Sequence, residues 1–270
     1  MKRALSIAAL IALANSGACV GTTGSALVTF RAYASGPPDA TRPYDFDTGR
    51  GFHVTLRKAF LHVGAIYLKR NQPISGAEAT GCILQETADG NYVAEVTTGL
   101  DIDVLSPAPQ ELPLPGNGTA DLAANGEVWL TGGNIDAAAD PTLILDLEGT
   151  ATKGDQSWPF SAAFTIGENR ALPPTDSEQP GANPICKQRI AGPIPANVTP
   201  ENDGGALFLQ IDPHLWFANV DFSQLSISTI DPSHYAFVDS SASSTDSASR
   251  NLFLALHDSV GVYSFSWHAP

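Results

Sequence analysis

Residues 143–166 read LILDLEGTATKGDQSWPFSAAFTI. Leu143, Leu145 and Leu147 recur at every second position, with Asp146 and Glu148 facing the other way. Beyond Lys153-Gly154-Asp155 the alternation resumes with Phe160, Ala162, Phe164 and Ile166. A period of two places one set of side chains on each face of a strand, and a short glycine-containing turn between two such runs folds them into a hairpin. The stretch therefore predicts two half-buried antiparallel strands.

The same pattern extends in both directions. Residues 26–34 (ALVTFRAYA) open the series, and Phe52, Val54 and Leu56 alternate with His53, Thr55 and Arg57. Residues 59–68 (AFLHVGAIYL) are apolar on both faces and read as one strand buried on both sides. Residues 82–88 and 91–97 flank Asp89-Gly90, a favoured hairpin turn. Further strands are expected at 100–105, at 127–131 around Val128 and Leu130, in QRIAGPI (188–194), in ALFLQID (206–212) and in the closing VGVYSFSW (260–267). Residues 171–184 read as a long irregular loop, and PHLWF (213–217) as a single helical turn. One true helix is expected at 247–257, where Leu252, Phe253 and Leu256 form a stripe behind a Thr245 or Asp246 cap. About nine or ten strands with short turns predict an all-β, antiparallel β-sandwich with one short C-terminal helix, filling a single domain over 26–270.

The first nineteen residues are MKRALSIAALIALANSGAC. Lys2 and Arg3 precede an apolar run, then small residues lead into Cys19. This is the pattern of a secretory signal peptide over 1–18, too short to span a bilayer. Small residues before a cysteine resemble the lipobox of bacterial lipoproteins, in which that cysteine becomes the lipidated first residue. Ser16 stands where that family usually has leucine, and Ser16-Gly17-Ala18 also suits an ordinary signal peptidase. On the lipobox reading, residues 19–25 are a lipidated tether and Cys19 holds the protein at the cell envelope, in the outer membrane. On the other reading the chain is periplasmic or secreted.

The chain has three cysteines. With Cys19 lipidated, Cys82 and Cys186 remain as an even pair in an oxidising compartment, which predicts a disulfide between them. It would close a loop of about a hundred residues, with up to about 4–5 kcal/mol of stabilisation in the chain-entropy picture. Charged residues are 16% of the chain, below the usual quarter or so. The formal charge is −14, and loss of Lys2 and Arg3 with the leader makes it two units more negative. Such a surface repels nucleic acid and anionic lipid, so membrane attachment has to come from the lipid.

GFHVTLRKAFLHVGAIYL (51–68), EGTATKGDQSWPFSAAFTI (148–166), IDPHLWFANVDF (211–222) and LFLALHDSVGVYSFSW (252–267) resemble segments of secreted bacterial β-sandwich lipoproteins of no assigned activity. The resemblance covers much of the mature chain. It implies export and a β fold, and it brings no catalytic motif.

Six histidines are the natural place to look for chemistry. None forms a local pair with metal-ligand spacing, and there is no HExxH. His53 falls on the polar face of its strand; His62 shares a face with Phe60 and Ile66 and reads as a core histidine. His214 and His257 fall at element ends, where distant residues can assemble a metal site. Asp45 and Asp47 alternate as in the first half of a calcium loop, but Arg50 stands where that loop needs glycine and no glutamate closes it. Asp101 with Asp103, and Asp146 with Glu148, are carboxylate pairs on strand faces, where solvation explains them better than acid–base work. Trp129 alternates away from Val128 and Leu130, and Trp216 adjoins a proline turn; exposed, either could stack on a glycan, and packed under a loop, neither could. No nucleophile elbow, phosphate loop or dinucleotide fingerprint is present. These observations predict a non-enzymatic cell-envelope lipoprotein with a binding or scaffolding role and no cofactor. The alternative is a small-ligand module that binds metal through His and Asp or glycan through Trp.

Overall fold

The computed structural model describes residues 25–71, 92–132, 141–166, 190–239, 245–258 and 260–270. In chain order the strands are β1 (Leu27–Ser35), β2 (Tyr44–Asp47), β3 (His53–Val63), β4 (Ala65–Lys69), β5 (Tyr92–Val96), β6 (Leu100–Asp103), β7 (Gln110–Glu111) and β8 (Gly116–Thr119). They continue as β9 (Ala123–Trp129), β10 (Leu145–Lys153), β11 (Gln156–Phe164), β12 (Ile190–Val198), β13 (Ala206–Ile211), β14 (Ser226–Ile227), β15 (Tyr235–Phe237) and β16 (Tyr263–His268). One α-helix, α1, spans Ser247–Leu256, and short 3-10 turns span Pro213–Phe217 and Phe222–Gln224.

The predicted hairpin is present. Strands β10 and β11 pair antiparallel from Leu145↔Phe164 to Lys153↔Gln156, and Gly154 takes a φ of 58° at the turn, a left-handed conformation that costs glycine little. The strands build two sheets. The larger runs β12-β9-β4-β5-β8-β1-β13-β16, with β7 beside β1; the smaller runs β14-β15-β11-β10-β3-β2, with β6 beside β3. The inner faces share one core, which draws Phe30, Leu56, Leu61, Phe160, Phe164, Leu207 and Phe265 into a contiguous cluster. The all-β expectation holds, but the sheets are mixed rather than purely antiparallel. Strand β1 runs parallel to β13 from Arg31↔Ala206 to Ser35↔Gln210, and β11 runs parallel to β15.

A second correction concerns 59–68. That apolar run is not one strand. The chain leaves the smaller sheet at Val63, turns at Gly64 and enters the larger sheet as β4. The Gly64 N–H donates to the Trp129 carbonyl at 2.8 Å. A Cβ at position 64 would stand 2.0 Å from the Thr131 carbonyl oxygen, so only glycine permits this corner. A segment feeding two sheets in succession shows no alternation and mimics a strand buried on both sides.

The larger sheet curls until its edges meet. Strand β12 approaches β16, and a Cβ at Gly126 on β9 would lie 2.3 Å from the Phe265 ring on β16. Among the described residues no hydrogen-bonded ladder joins β12 to β16, so the sheet approaches a barrel through side-chain packing at this seam.

The expected helix is α1. Asp246 caps it, its side chain accepting from the Ser249 N–H at 2.7 Å, and Leu252, Phe253 and Leu256 are buried. The helix packs on the 213–217 turn, where Trp216 and Phe217 are fully buried. Phe217, Phe222 and Phe237 surround Phe160, with ring centroids 5.7, 5.0 and 5.6 Å away. Of the expected hairpin at 82–97, the described part is β5; its first arm, its turn and the 171–184 loop lie outside the described residues. So do Cys19, Cys82, Cys186 and the leader. Among the described residues no helix is long and apolar enough to cross a membrane.

Candidate functional site

The densest gathering of His and Asp lies where the β2–β3 hairpin meets the 213–217 turn. Cross-strand pairing places Asp47 opposite His53 and Asp45 opposite Thr55. His53 Nδ1 lies 2.9 Å from an Asp47 carboxylate oxygen, and its Nε2 lies 3.8 Å from Asp45. The Thr55 hydroxyl donates to Asp45 at 2.5 Å. The third partner comes from far along the chain. Asp212 begins the 213–217 turn by accepting from the His214 N–H at 2.9 Å, and His214 Nε2 reaches the Asp47 backbone carbonyl at 3.3 Å. Phe46 packs on the His214 ring, centroids 4.9 Å apart. Burial pushes the Asp212 carboxyl up from its ordinary range, against the pull of the His214 N–H and charge. Beside it, burial pushes the Tyr44 phenol up to about 12, with the Asp212 and Asp39 charges adding.

The structure thus brings together three sequence candidates, Asp45, Asp47 and His214, and adds His53. The alternation of Asp45 and Asp47, which as sequence resembles half of a calcium loop, is that of a strand, β2, paired with β3. The docking of His214 had no local signal. His257 plays another role: it closes α1, its Nδ1 donating to the Phe253 carbonyl at 2.7 Å and its ring packing on Phe253. Among the described residues no group of three or more His, Cys, Asp or Glu side chains is arranged to hold a metal ion. In the hairpin, the carboxylates turn toward the His53 ring and the Thr55 hydroxyl instead of leaving oxygens convergent on a common point.

The other polar candidates are also tied across strands. His62 faces Asp101 from β3 to β6, Nδ1 to Oδ1 2.6 Å. His62 is therefore half of a cross-strand pair rather than a core histidine, and Ile66, its expected face-mate, belongs to the other sheet. Its Nε2 is closed off without a partner by Gly99, where a Cβ would stand 2.9 Å away. Asp103 pairs with Arg42 at 2.6 Å, and Asp146 with Lys58 at 2.5 Å, the solvated-face role expected for those carboxylates.

Asp231, Ser233 and His234, between β14 and β15, carry the residue types of a hydrolase triad but not its geometry. The Ser233 hydroxyl donates to Asp231 at 2.6 Å, and both Ser233 and Asp231 sit on the same ring nitrogen, Nδ1, at 3.0 and 2.7 Å. A relay needs the acid and the nucleophile on opposite nitrogens. Hydrogen bonding from Ser233 and the His234 charge hold the Asp231 carboxyl below its usual range, which fits a tied carboxylate.

Both tryptophan candidates are buried. Trp129 is 6% exposed, its Nε1 donating to Glu127 at 3.2 Å and its ring 4.4 Å from Tyr67. Trp216 is fully buried and its Nε1 has no partner. Neither offers a face to a sugar. Sequence reasoning missed the pair beside Trp129: Lys69 and Glu127, on neighbouring strands, are both nearly closed from water. It also missed a shallow cavity of about 480 Å³ on the larger sheet, lined by Leu27, Thr29, Tyr92, Glu95, Asn117 and Thr119 among others.

No protein-family model and no curated protein matches the sequence. Among solved structures, MbnP from Methylosinus trichosporium is similar at 10% identity and a TM-score of 0.39, over 90% of this chain and 100% of that one. A likeness that distant carries no function across.

Proposed function

We propose that this chain is an exported, lipid-anchored protein of the bacterial cell envelope that binds or scaffolds and does not catalyse. The observation that supports it best is the pairwise commitment of its acid–base groups. In His53–Asp47, His62–Asp101 and His234–Asp231 the ring Nδ1 is tied to a carboxylate, and among the described residues no hydroxyl or thiol is hydrogen-bonded to the Nε2 side. General acid–base work needs a group poised on a reacting atom, and among the described residues no nucleophilic side chain stands against the outer nitrogen of these rings. The leader and Cys19 supply the export and anchor part of the reading.

Two measurements test it. Intact-mass analysis of membrane-fraction protein is expected to show acyl mass on Cys19, and Cys19→Ser is expected to remove it; a soluble chain with unmodified Cys19 overturns the anchor and leaves export alone. A screen with chromogenic ester, phosphate and glycoside substrates is expected to show no turnover. Turnover abolished by His53→Ala, His62→Ala or His234→Ala overturns the non-catalytic part.

A further inference from the structure

The described chain begins at Ser25, and its first residues are clasped to one turn of the larger sheet. The Ser25 hydroxyl donates to Asp121 at 2.6 Å, and the Ala120 N–H donates to the Ala26 carbonyl at 2.8 Å. Arg70 pairs with the same carboxylate at 2.6 Å and Thr119 donates to it at 2.9 Å. The Asp121 carboxylate is therefore matched by a cation and two hydroxyls, while Glu95 lines the cavity beside Leu27. On either side of the clasp stand two large apolar side chains in water: Leu27, 60% exposed, and Leu122, 57% exposed. The shallow cavity beside Leu27 adds Tyr92, an amphipathic ring of the kind that settles at headgroup depth.

Chain length determines what lies opposite. On the lipid-anchor reading, on which this inference rests, the lipid is on Cys19. The links from Cys19 to Ser25 reach at most about 20 Å when fully extended. The surface around Ser25 is then held close to the bilayer, and the rest of the domain is not. Singly scattered exposed leucines are ordinary, but two flanking a short membrane tether, around a neutralised carboxylate, are placed where the membrane is.

We propose that this end of the larger sheet rests on the bilayer, with Leu27 and Leu122 inserted among the headgroups of neutral phospholipid. The acidic charge of the whole chain selects against an anionic leaflet. The acyl anchor supplies attachment; the two leucines supply orientation.

Hydrogen exchange decides the matter, comparing lipidated full chain on phosphatidylcholine vesicles with the soluble Cys19→Ser chain. Amides at 26–29 and 119–122 that exchange measurably in the soluble chain are expected to slow by about tenfold on vesicles, roughly what burying one leucine gives. Amides around Ile230, which is 94% exposed and on the smaller sheet's side, are expected to keep their rate. Leu27→Asp with Leu122→Asp, both surface changes, is expected to abolish the slowing while the protein stays on the vesicles. Acylated protein without local slowing, or with equal slowing at Ile230, overturns the docking and leaves the anchor reading intact. Absence of acyl mass on Cys19 overturns both. Slowing that appears in the soluble chain and grows with its concentration assigns the patch to a second copy of the chain and overturns the membrane.

Discussion

The Lys69 ammonium lies 2.5 Å from the Glu127 carboxylate, and the two side chains are only 4% and 6% exposed. They face each other from β4 and β9, with Tyr92 over the ammonium at 5.1 Å and the Trp129 N–H on the second carboxylate oxygen. Each charge is there because the other is. A buried pair adds little over a well-packed apolar pair, but half of one is costly.

Glu127→Gln is therefore expected to destabilise by about 3–5 kcal/mol, and Lys69→Met with Glu127→Leu to recover most of that loss. Urea unfolding of the three proteins checks it. A Glu127→Gln chain within about 1 kcal/mol of the parent would show that water reaches the ammonium.

At the corner between the sheets, Gly64→Ala is expected to cost at least about 1–3 kcal/mol, the usual range for overpacking, because the added carbon meets backbone rather than a movable side chain. Gly154→Ala sits in open space and suffers only from its positive φ, so it is expected to cost less. Thermal unfolding in which Gly154→Ala is the more damaging of the two refutes the account of the corner.

Alkaline pH is expected to act through Tyr67. Burial, and then the charges of Glu95 and Glu127, push its phenol from 10.0 up to about 12. The folded protein holds this proton more tightly than the unfolded chain does. Its contribution to stability is complete below pH 10 and is lost as pH rises through about 12. Urea midpoints measured across that window should fall less steeply for Tyr67→Phe than for the parent; identical slopes would falsify the assignment.

The hairpin His–Asp group is expected to be structural. Excess Zn²⁺ should leave the melting temperature unchanged, because the rings of His53 and His214 already contact Asp47. A concentration-dependent rise that disappears in His53→Gln, with His257→Gln unaffected, points instead to a metal at this end of the sandwich.

What could be read from the chain was what is local. The 143–166 hairpin, the Asp246 cap and the alternation of Tyr263, Phe265 and Trp267 depend on neighbours a few residues away, and each has its own pattern. Burial of Trp129 does not. Alternation correctly puts it on the opposite face from Val128, but that face is covered too, with Tyr67 and Ile190 packed against Ala65 and Trp129. The Gly64 corner was hidden because both sheets turn apolar residues toward the core they share. The meeting of Asp47 with His214 depends on a turn docking from the far half of the chain, which no spacing encodes.

The parallel pairing of β1 with β13 bears on how the protein is made. The first strand of the domain lies beside residues 206–210, so one of its partners is synthesised late. Contacts that join distant parts of a chain form slowly, since the intervening loop must be ordered first. Strands β7 and β8 reach β1 before mid-chain, but the edge that receives β13 stays open until residues 206–210 are made. For a polypeptide proposed to cross a membrane before it folds, that delay is useful: the strand order postpones completion of the larger sheet until threading is nearly complete.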